Sequence, residues 1–373
     1  MAGIYIHIPF CKQACHYCDF HFSTTLKRKP ELIKALCKEL VLKKDNLDEE
    51  IETVYFGGGT PSLLTEEELG EIFLTLYDHY KISPAAEITL EANPDDLSKE
   101  KIALLSETKI NRLSIGIQSF FEDDLRWMNR SHDADQALNA VVEAKKYFEN
   151  ISIDLIYGVP GMTDKKWEEN LHQTLALKIP HISSYALTVE SGTALAKMIA
   201  LNKKKAVDEE VAKKQYEVLV ETMTGAGYIN YEFSNFGLEG YFSKNNTAYW
   251  MGKSYLGIGP SAHGFDGKNR YWNVGHNILY IKSLQEGKIP QQTEILKTSD
   301  RYNEYIMTRL RTMWGVSLKE IEKRFGVEFL AYFSKEAKPL FDKGLLVKNQ
   351  DNIHISKKAK FLGDGISAEL FYV

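Results

Sequence analysis

Three cysteines in a short loop are the residues whose types and spacing could do chemistry. Cys11, Cys15 and Cys18 have the spacing C-x3-C-x2-C and follow an apolar run over residues 4–8. Thiolates this close in the chain can converge on one inorganic centre, and cysteine is the usual protein ligand of iron–sulfur clusters. If three thiolates hold a [4Fe–4S] cluster, its fourth iron has no protein ligand. That open iron would make the cluster a site of chemistry as well as a store of electrons.

A structural zinc site is the alternative that the same cysteines leave open. Zinc in structural sites takes four ligands, and the fourth could come from His7, His16, His21 or Cys37. Disulfide bonds are not expected, because the chain has four cysteines and no sign of secretion. The loop by itself therefore favours an iron–sulfur cluster over zinc.

Composition and charge describe an ordinary globular protein. The 373 residues are 44% hydrophobic and 26% charged, with a net charge of −5. This balance gives no electrostatic footprint for nucleic acid, and no segment reaches the roughly 20 apolar residues of a membrane span. His7 and Pro9 interrupt the apolar N-terminal run, so it does not resemble a signal peptide. These features predict a cytoplasmic protein, in surroundings that keep thiols reduced.

The elements that must position the cysteine loop alternate between strand and helix patterns. Strands are predicted over residues 4–8, 53–56, 87–92, 112–117, 151–157 and 182–187. Helices are predicted over residues 30–44, 66–80, 99–108, 133–147 and 165–177. Alternation of this kind predicts an α/β fold with a parallel sheet, in the form of a partial (β/α)6 TIM-like barrel.

Polar and glycine-rich groups stand at the ends of the predicted strands, where such barrels carry their active sites. The glycine run 57–60 follows the second strand, Glu91 ends the third, Gln118 follows the fourth and Asp154 lies in the fifth. Each could instead be an ordinary structural residue, the glycine run could be a plain tight turn, and Arg130 could simply pair with Asp154. Their joint placement favours a binding site, because glycines let the backbone approach a ligand closely.

The cysteine loop and four further runs together resemble a known family. The cysteine spacing, with Tyr17 directly before Cys18, resembles that of the radical S-adenosylmethionine (SAM) enzymes. The order and spacing of the other runs are similar to those of the HemN/HemW family, which holds oxygen-independent coproporphyrinogen III oxidases and heme chaperones. These runs are YIHIPFC at 5–11, YFGGGTPS at 55–62, LSIGIQS at 113–119 and IDLIYGVPG at 153–161. The resemblance covers nearly the whole chain.

The resemblance implies a role for each residue that matches a family motif. Cys11, Cys15 and Cys18 would bind a [4Fe–4S] cluster. The SAM site would be formed by Tyr5, Tyr17, Gly58, Gly59, Thr60, Glu91, Gln118, Arg130 and Asp154. Within that site, Gly58, Gly59 and Thr60 would hold the methionine part of SAM. Cys37 matches no family motif, and we expect it to be a buried, apolar residue.

Three features favour the heme chaperones of this family over its oxidases. Phe20 stands where the oxidases have a further cysteine, and the N-terminal extension of the oxidases is not expected ahead of a cysteine loop that begins at residue 11. Residues 243–250, SKNNTAYW, resemble the H-N-x-x-Y-W motif that the family links to heme binding. Asn245 replaces the histidine of that motif, however, and an amide is a poor axial ligand for heme iron. Alternative ligand candidates are Tyr249, His263 and His276.

The resemblance implies a chaperone that binds heme and a [4Fe–4S] cluster and delivers heme to acceptor proteins, namely respiratory proteins at the membrane. An electron donor would reduce the cluster, and cleavage of SAM would yield a 5′-deoxyadenosyl radical. The alternative is an oxygen-independent coproporphyrinogen III oxidase, in which that radical would begin the decarboxylation of a propionate side chain. A radical SAM enzyme that opens or methylates a tetrapyrrole is a third hypothesis. Whether the chain is an enzyme stays open at this point.

Changes of pattern divide the chain into three predicted parts. Residues 1–200 form the radical SAM barrel, 201–295 are a connecting region expected to pack on the side of the barrel, and 296–373 form a small α+β domain. Helices over 301–313, 317–324 and 327–343, followed by a hairpin over 345–355, resemble a winged helix. Such units often bind DNA, but Glu328, Glu336 and Asp342 interrupt the lysines. No nucleic-acid partner is therefore predicted.

Overall fold

A twelve-stranded sheet carries the larger part of the chain, whose computed structural model describes residues 2–373. Its first six strands are parallel and lie in sequential order, each hydrogen-bonded to the next. They are β1 (Ala2–Ile8), β2 (Ile51–Gly58), β3 (Ile82–Ala92), β4 (Arg112–Gln118), β5 (Asn150–Tyr157) and β6 (His181–Ala186). Side chains such as Ile4 and Ile6 are fully buried, and β-branched residues suit such a packed, pleated surface. The predicted α/β fold and its strands are confirmed, although β3 begins earlier than predicted.

Helices connect these strands, as the alternating pattern predicted. In the helix that follows β2, Thr65 accepts a hydrogen bond from Glu68 N while the Glu68 side chain accepts one from Thr65 N, which is a capping box. The connecting helices are α1 (Lys29–Leu42), α2 (Glu66–His79), α3 (Lys99–Glu107), α4 (Glu122–Met128), α5 (Ala134–Ala144) and α6 (Asp164–Leu177). The short helix α4 was not predicted, because seven residues are too few to show a helical period.

The region after residue 200 extends the sheet at both of its edges. Its strands are β7 (Ile229–Glu232), β8 (Asn235–Gly237), β9 (Tyr255–Ile258), β10 (His263–Phe265), β11 (Asn269–Asn273) and β12 (Gln291–Ile295). The pair β7–β8 joins β6, while β9 lies parallel to β1 and β10–β12 continue outward from it. Strands β7 and β12 are the two ends of the order, so the sheet within residues 2–373 does not close. This region was predicted only to pack on the side of the barrel, because strands of three to five residues carry too weak a pattern.

A buried ion pair joins α1 to the edge that β9 adds. Lys43 Nζ lies 2.6 Å from Glu39 Oε1, and both side chains are fully buried. Glu39 also accepts hydrogen bonds from Gly259 N at 2.8 Å and from Asn273 Nδ2 at 2.7 Å. Lys43 donates to Gly257 O at 3.1 Å. Charged groups in a core need such partners, and these hold the end of β9 against α1.

Four further helices lie between β6 and the C-terminal part. They are α7 (Ala194–Ala200), α8 (Glu209–Gly225), α9 (Lys244–Trp250) and α10 (Asn277–Gln285). The longest of them, α8, has 17 residues and buries Tyr216, Leu219 and Met223 against the main core. Through residues 2–373, none of the helices has both the length and the apolar character needed to cross a membrane.

The C-terminal part has a separate core and a small sheet. Its elements are α11 (Thr298–Leu310), β13 (Val316–Ser317), α12 (Leu318–Phe325), α13 (Val327–Asp342), β14 (Leu346–Asn349), β15 (Asn352–Ile355) and α14 (Gly363–Ala368). Strand β15 pairs with both β13 and β14, and Tyr302, Ile306 and Phe333 lie in a hydrophobic cluster distinct from that of the main sheet. Helices followed by a hairpin in this order confirm the predicted winged-helix-like arrangement.

Candidate cofactor site

The cysteine loop begins where β1 ends, at the carboxyl edge of the parallel strands. The two ends of the loop are tied together, because Cys11 N donates to Ser23 O at 3.1 Å and Ser23 N donates to Pro9 O at 2.9 Å. Inside the loop, Cys18 N donates to Cys15 O at 3.4 Å. The three cysteines are free, partly exposed thiols, and all three line one cavity.

The surroundings of Cys11 and Cys18 favour the neutral thiol form until a positive centre binds. Burial is the main cause that raises the pKa of Cys18 to about 12, and the neighbouring Cys15 and Cys11 add to the effect. Burial likewise raises the pKa of Cys11. The three thiols lie near one another, so their negatively charged thiolate forms would repel each other. A cationic iron–sulfur centre that replaced their protons would remove this repulsion. The donor set therefore fits a cluster bound by three thiolates.

The residues that could have completed a zinc site have other partners. His7 Nε2 lies 2.9 Å from His21 O, and His21 Nε2 lies 2.7 Å from Asn277 Oδ1. His16 Nδ1 lies 3.2 Å from a backbone carbonyl oxygen, while Cys37 is buried in α1, as predicted. Among residues 2–373, no three His, Cys, Asp or Glu side chains, the three cysteines included, are gathered closely enough to hold a single metal ion. What disfavours zinc is that each candidate for its fourth ligand is engaged or buried elsewhere.

The glycine run brings the backbone at the end of β2 against the cysteine loop. Gly58 has a φ of +104°, a conformation that favours glycine, and a Cβ at this position would lie 2.4 Å from the His7 ring. A Cβ on Gly59 would lie 2.7 Å from backbone atoms of Ile8 and Phe10. Gly59 N donates to Ile8 O at 2.9 Å. The run can pass this close to the loop only because both positions lack a side chain.

Two partly buried carboxyl groups line the same cavity, one from β3 and one from β5. Tyr55 OH donates to Glu91 Oε1 at 2.7 Å, and Gly58 N donates to Glu91 Oε2 at 3.2 Å. Burial raises the pKa of Glu91 to about 7 despite these hydrogen bonds, which lower it. Ser114 Oγ donates to Asp154 Oδ1 at 3.3 Å, and burial raises the pKa of Asp154 to about 6. A cationic ligand, such as an amine or a sulfonium, would stabilise the charged forms of both groups.

Arg130 connects the strand ends to the cysteine loop. Its Nη2 donates to Asn93 Oδ1 at 2.6 Å and to a β4 carbonyl oxygen at 2.8 Å, and its Nη1 lies 3.4 Å from both Cys15 Sγ and Tyr17 OH. Its Nε is buried and has no hydrogen-bond partner among residues 2–373. The pairing with Asp154 that the sequence left open is not among these contacts. A buried donor without a partner suits an acceptor group on a ligand.

The remaining predicted residues, Gln118 and Tyr5 among them, line the same cavity as the cysteines and the carboxyl groups. Gln118, at the end of β4, has a φ of +64°, which is strained for a residue with a side chain and recurs at functional sites. Tyr5 OH lies 3.1 Å from His7 Nδ1, and this hydrogen bond fixes the position of the Tyr5 ring. A single cavity of about 770 Å³ is lined by all of the predicted residues: Tyr5, Cys11, Cys15, Tyr17, Cys18, Gly58, Gly59, Thr60, Glu91, Gln118, Arg130 and Asp154.

The cavity also has lining residues to which the sequence analysis gave no role. Tyr55 lies two residues before the glycine run and Asn93 follows Glu91 by two residues, so their places in the motifs were a usable signal. Arg112 lies on β4 with its Nη2 3.3 Å from His181 Nδ1, and no sequence pattern marked it. Side chains from beyond residue 300 reach the cavity as well, although no residue of that part of the chain was predicted to bind a cofactor.

The candidate heme ligands are separated by the fold. Asn245 is buried on α9, where its N–H donates to Glu87 Oε1 at 3.2 Å. Tyr249 lines the cavity and packs edge-on against Tyr255, with ring centroids 4.5 Å apart. His263 is exposed on β10 and His276 is exposed at the start of α10, and neither lines the cavity. Of the three alternatives to Asn245, the structure brings only Tyr249 to the predicted cofactor residues.

The chain is similar to known proteins over nearly its whole length. Residues 5–173 match the Radical SAM superfamily, and residues 296–362 match the HemN C-terminal domain. A heme chaperone HemW of Bacillus subtilis is 34% identical over 372 residues, which cover 98% of this chain and 98% of that protein. Another, of Lactococcus lactis, is 33% identical over 364 residues and covers 97% of this chain and 95% of its own. These similarities extend over both parts of the fold.

Among solved structures, the fold matches coproporphyrinogen III oxidase (HemN) of Escherichia coli, described as a radical SAM enzyme. The TM-score is 0.85, and the match covers 99% of this chain and 90% of that one at 21% identity. A likeness at that level of identity shows the fold alone. The full-length identity to the heme chaperones is higher and shows the family: this chain belongs to the HemW heme chaperones of the radical SAM superfamily.

Proposed function

We propose that this chain binds a [4Fe–4S] cluster, SAM and heme, and that it delivers the heme to acceptor proteins. One observation carries the proposal: in a chain of the HemW family, three thiols, two partly buried carboxyls and a partly buried guanidinium line one cavity. Thiolates bind the irons of a cluster, and carboxylates attract the positively charged sulfonium and amino groups of SAM. A guanidinium binds the carboxylate of SAM.

The residues of the chain would divide the work of binding among them. Cys11, Cys15 and Cys18 would bind the cluster and leave one iron open. The Glu91 carboxylate would attract the amino group of SAM, and the unpartnered Nε of Arg130 would donate to its carboxylate. Tyr5, Tyr17, Gly58, Gly59, Thr60, Gln118 and Asp154 would complete the SAM site. When bound, the cluster and SAM supply one-electron chemistry fed by a separate electron-donor protein, and the chain positions them and excludes water.

Heme would occupy the part of the cavity that SAM leaves free. Ligand cavities commonly measure roughly 300–1,000 Å³, and this one, at about 770 Å³, is at the upper end. We propose Tyr249 as heme ligand ahead of His263 and His276, because it alone of the three lines the cavity. Burial raises the pKa of Tyr249, so its hydroxyl is neutral until iron displaces the proton. Tyrosine is one of the residues that hold heme iron in proteins.

The wider role follows from the family and extends beyond the site. We propose respiratory proteins at the membrane as the heme acceptors and the cytoplasm as the place of loading, where three free thiols would stay reduced. We also propose the division into a barrel of residues 1–200, a connecting region of residues 201–295 and a C-terminal domain of residues 296–373. Oxygen-independent coproporphyrinogen III oxidase is the alternative activity that the test must separate from heme delivery.

The test uses the full-length protein, reconstituted without oxygen in the presence of iron and sulfide. Wild type should hold about four irons per chain, bind hemin with a shift of the heme absorption band, and leave coproporphyrinogen III unchanged in the presence of SAM and a reductant. Turnover of coproporphyrinogen III would refute the chaperone proposal in favour of the oxidase. The Cys15→Ala variant should lose the cluster, and its matched control, Cys37→Ala, should keep it because Cys37 is buried away in α1.

A further inference from the structure

One region of the cavity is built largely by residues from the second half of the chain and has no part in the predicted cofactor set. Tyr157, Tyr216, Phe233 and Phe361 line it, and we call these four residues the aromatic wall. The Tyr216 ring centroid lies 6.1 Å from that of Tyr157 and 5.9 Å from that of Phe361. Tyr157 and Tyr216 are buried. Phe233 and Phe361 are partly exposed, and the Tyr216 ring is inclined by 31° to that of Tyr157 and by 47° to that of Phe361. The wall therefore offers an aromatic ligand a preformed apolar surface for tilted and offset ring contacts, mainly on its two phenylalanines.

The aromatic wall depends on close approach between two separate parts of the fold. Phe233 follows β7, while Phe361 lies in the 3-10 turn Lys357–Leu362 that precedes α14. A Cβ on Gly363 would lie 2.1 Å from the Phe233 ring. Any larger residue there would push Phe233 out of place. The absence of a side chain at Gly363 thus lets the C-terminal part seat itself directly against the wall.

Two basic side chains line the same region, and their charges are compensated differently. Arg311 Nε lies 3.2 Å from Glu232 Oε2, and Arg311 Nη1 lies 3.0 Å from Asp364 Oδ1. Lys360 Nζ donates to Asn230 Oδ1 and, over residues 2–373, has no carboxylate oxygen within 4.0 Å. Arg311 is therefore saturated with acidic partners, whereas Lys360 presents a positive charge that has only a neutral amide as partner.

The position of Lys360 makes this charge unfavourable in the absence of a ligand. Burial, assisted by the nearby Lys357, lowers the pKa of Lys360 to about 8, while Glu232 acts in the opposite direction. A desolvated ammonium gains most from a carboxylate, because a charge-assisted hydrogen bond is about twice as strong as a neutral one. Phe361 is the next residue in the chain, so the ammonium and the aromatic wall reach the cavity together.

We propose that Lys360 binds a carboxylate group of a flat aromatic ligand whose ring plane lies against the aromatic wall. The inference rests on the proposed function, in which that ligand is heme, and it assigns the propionate side chains of heme to the C-terminal part of the chain. Neither the cluster loop nor the predicted SAM residues take part in this contact. The C-terminal domain would accordingly contribute a binding group to the cargo site as well as packing.

The experiment compares two probes on three proteins, each full-length and reconstituted with its cluster. The probes are hemin and hemin dimethyl ester, which differ in whether the two propionates carry charge. The proteins are wild type, Lys360→Met and the matched control Lys358→Met, which removes an exposed lysine of the same turn that lines neither cavity. Binding is followed by titration of the heme absorption band, and thermal unfolding checks that each variant is folded.

Hemin should bind wild type and Lys358→Met equally, and should bind Lys360→Met roughly 10- to 100-fold more weakly, as expected for the loss of a hydrogen bond to a charged group. The dimethyl ester should bind all three proteins alike. Wild type should also prefer hemin to the ester by roughly the same factor, a comparison that needs no variant and stands even if Lys360→Met unfolds.

The possible failures are separable. If wild type binds hemin but neither the Lys360→Met substitution nor esterification changes its affinity, the assignment of Lys360 is overturned and the proposed heme binding stands. If both substitutions weaken hemin equally, the effect is one of net charge and the assignment is again overturned. If wild type binds no hemin, the proposed function itself is refuted, and the carboxylate site falls with it.

Discussion

Glu91→Gln is the substitution for which the structure predicts opposite effects on stability and on cofactor binding. The Glu91 carboxyl is partly buried in the cavity wall, and its loss of water raises its pKa from an ordinary 4.5 to about 7. The folded chain therefore holds this proton more tightly than the unfolded chain, and stability falls as the pH rises from about 4.5 to about 7. Above that range the full penalty for a buried charge is present. An amide at residue 91 would remove it.

The magnitude follows from that pKa difference. With 1.36 kcal/mol for each pKa unit, the penalty that Glu91 imposes is about 3 kcal/mol at pH 8 and about 1 kcal/mol at pH 5. The amide of the variant could still accept from Tyr55 OH, but its NH2 group cannot accept from Gly58 N, a loss of about 1 kcal/mol at any pH. We therefore expect Glu91→Gln to stabilise the SAM-free protein by about 2 kcal/mol at pH 8 and to have almost no net effect at pH 5.

Urea denaturation without oxygen, at both pH values and without SAM, measures these differences. The control is Glu71→Gln, which changes an exposed glutamate on α2 and should alter stability equally at both pH values. Added SAM should raise the midpoint of wild type and have little effect on Glu91→Gln, because the variant lacks the charge that attracts the amino group. Equal stability changes at the two pH values would show that Glu91 does not titrate as a buried acid, and the reasoning would be wrong.

Two further substitutions test the glycine run and the buried ion pair. Gly59→Ala places a methyl group against the backbone that leads into the cysteine loop, so we expect the variant to lose iron and SAM binding. Its control, Gly70→Ala, lies in an open helical position and should keep both. Iron retained by Gly59→Ala would contradict this account. Lys43→Met removes the cation beside the fully buried Glu39, and we expect urea denaturation to show a loss of about 3–5 kcal/mol in unfolding free energy. A loss below about 1 kcal/mol would show that the other hydrogen bonds of Glu39 are enough to stabilise its buried charge.

That the proposed cofactor residues converge on one cavity could be predicted from the sequence, because most of them belong to local motifs at strand ends. Glu91 and Asp154 are far apart in the chain, but parallel strands in sequential order bring their carboxyl ends to one edge, so local patterns were enough to place them together. Their protonation could not be predicted, because it depends on burial by the whole fold. The strain at Gln118 likewise appears only in the backbone.

The side of the cavity formed by the C-terminal part was beyond prediction for a different reason. Lys360 lies in a short turn among other lysines and has no motif, and its significance comes from Asn230 and Tyr216, which are remote in sequence. The addition of β9 to β1 was missed for the same reason, since four residues carry no reliable pattern. Contacts between remote segments are decided by packing, which periodicity does not describe.

The pairing of β1 with β9 has a consequence for how the protein is made. Gly3 lies opposite Tyr255, so on the ribosome the strand that leads into the cysteine loop has one edge without its partner while about 250 residues are still to be synthesised. At about 5–20 residues per second, that interval lasts roughly ten to fifty seconds. An unpaired strand edge is a template for association with other chains. Cluster insertion is therefore expected only after β9 has been synthesised and has paired with the first strand.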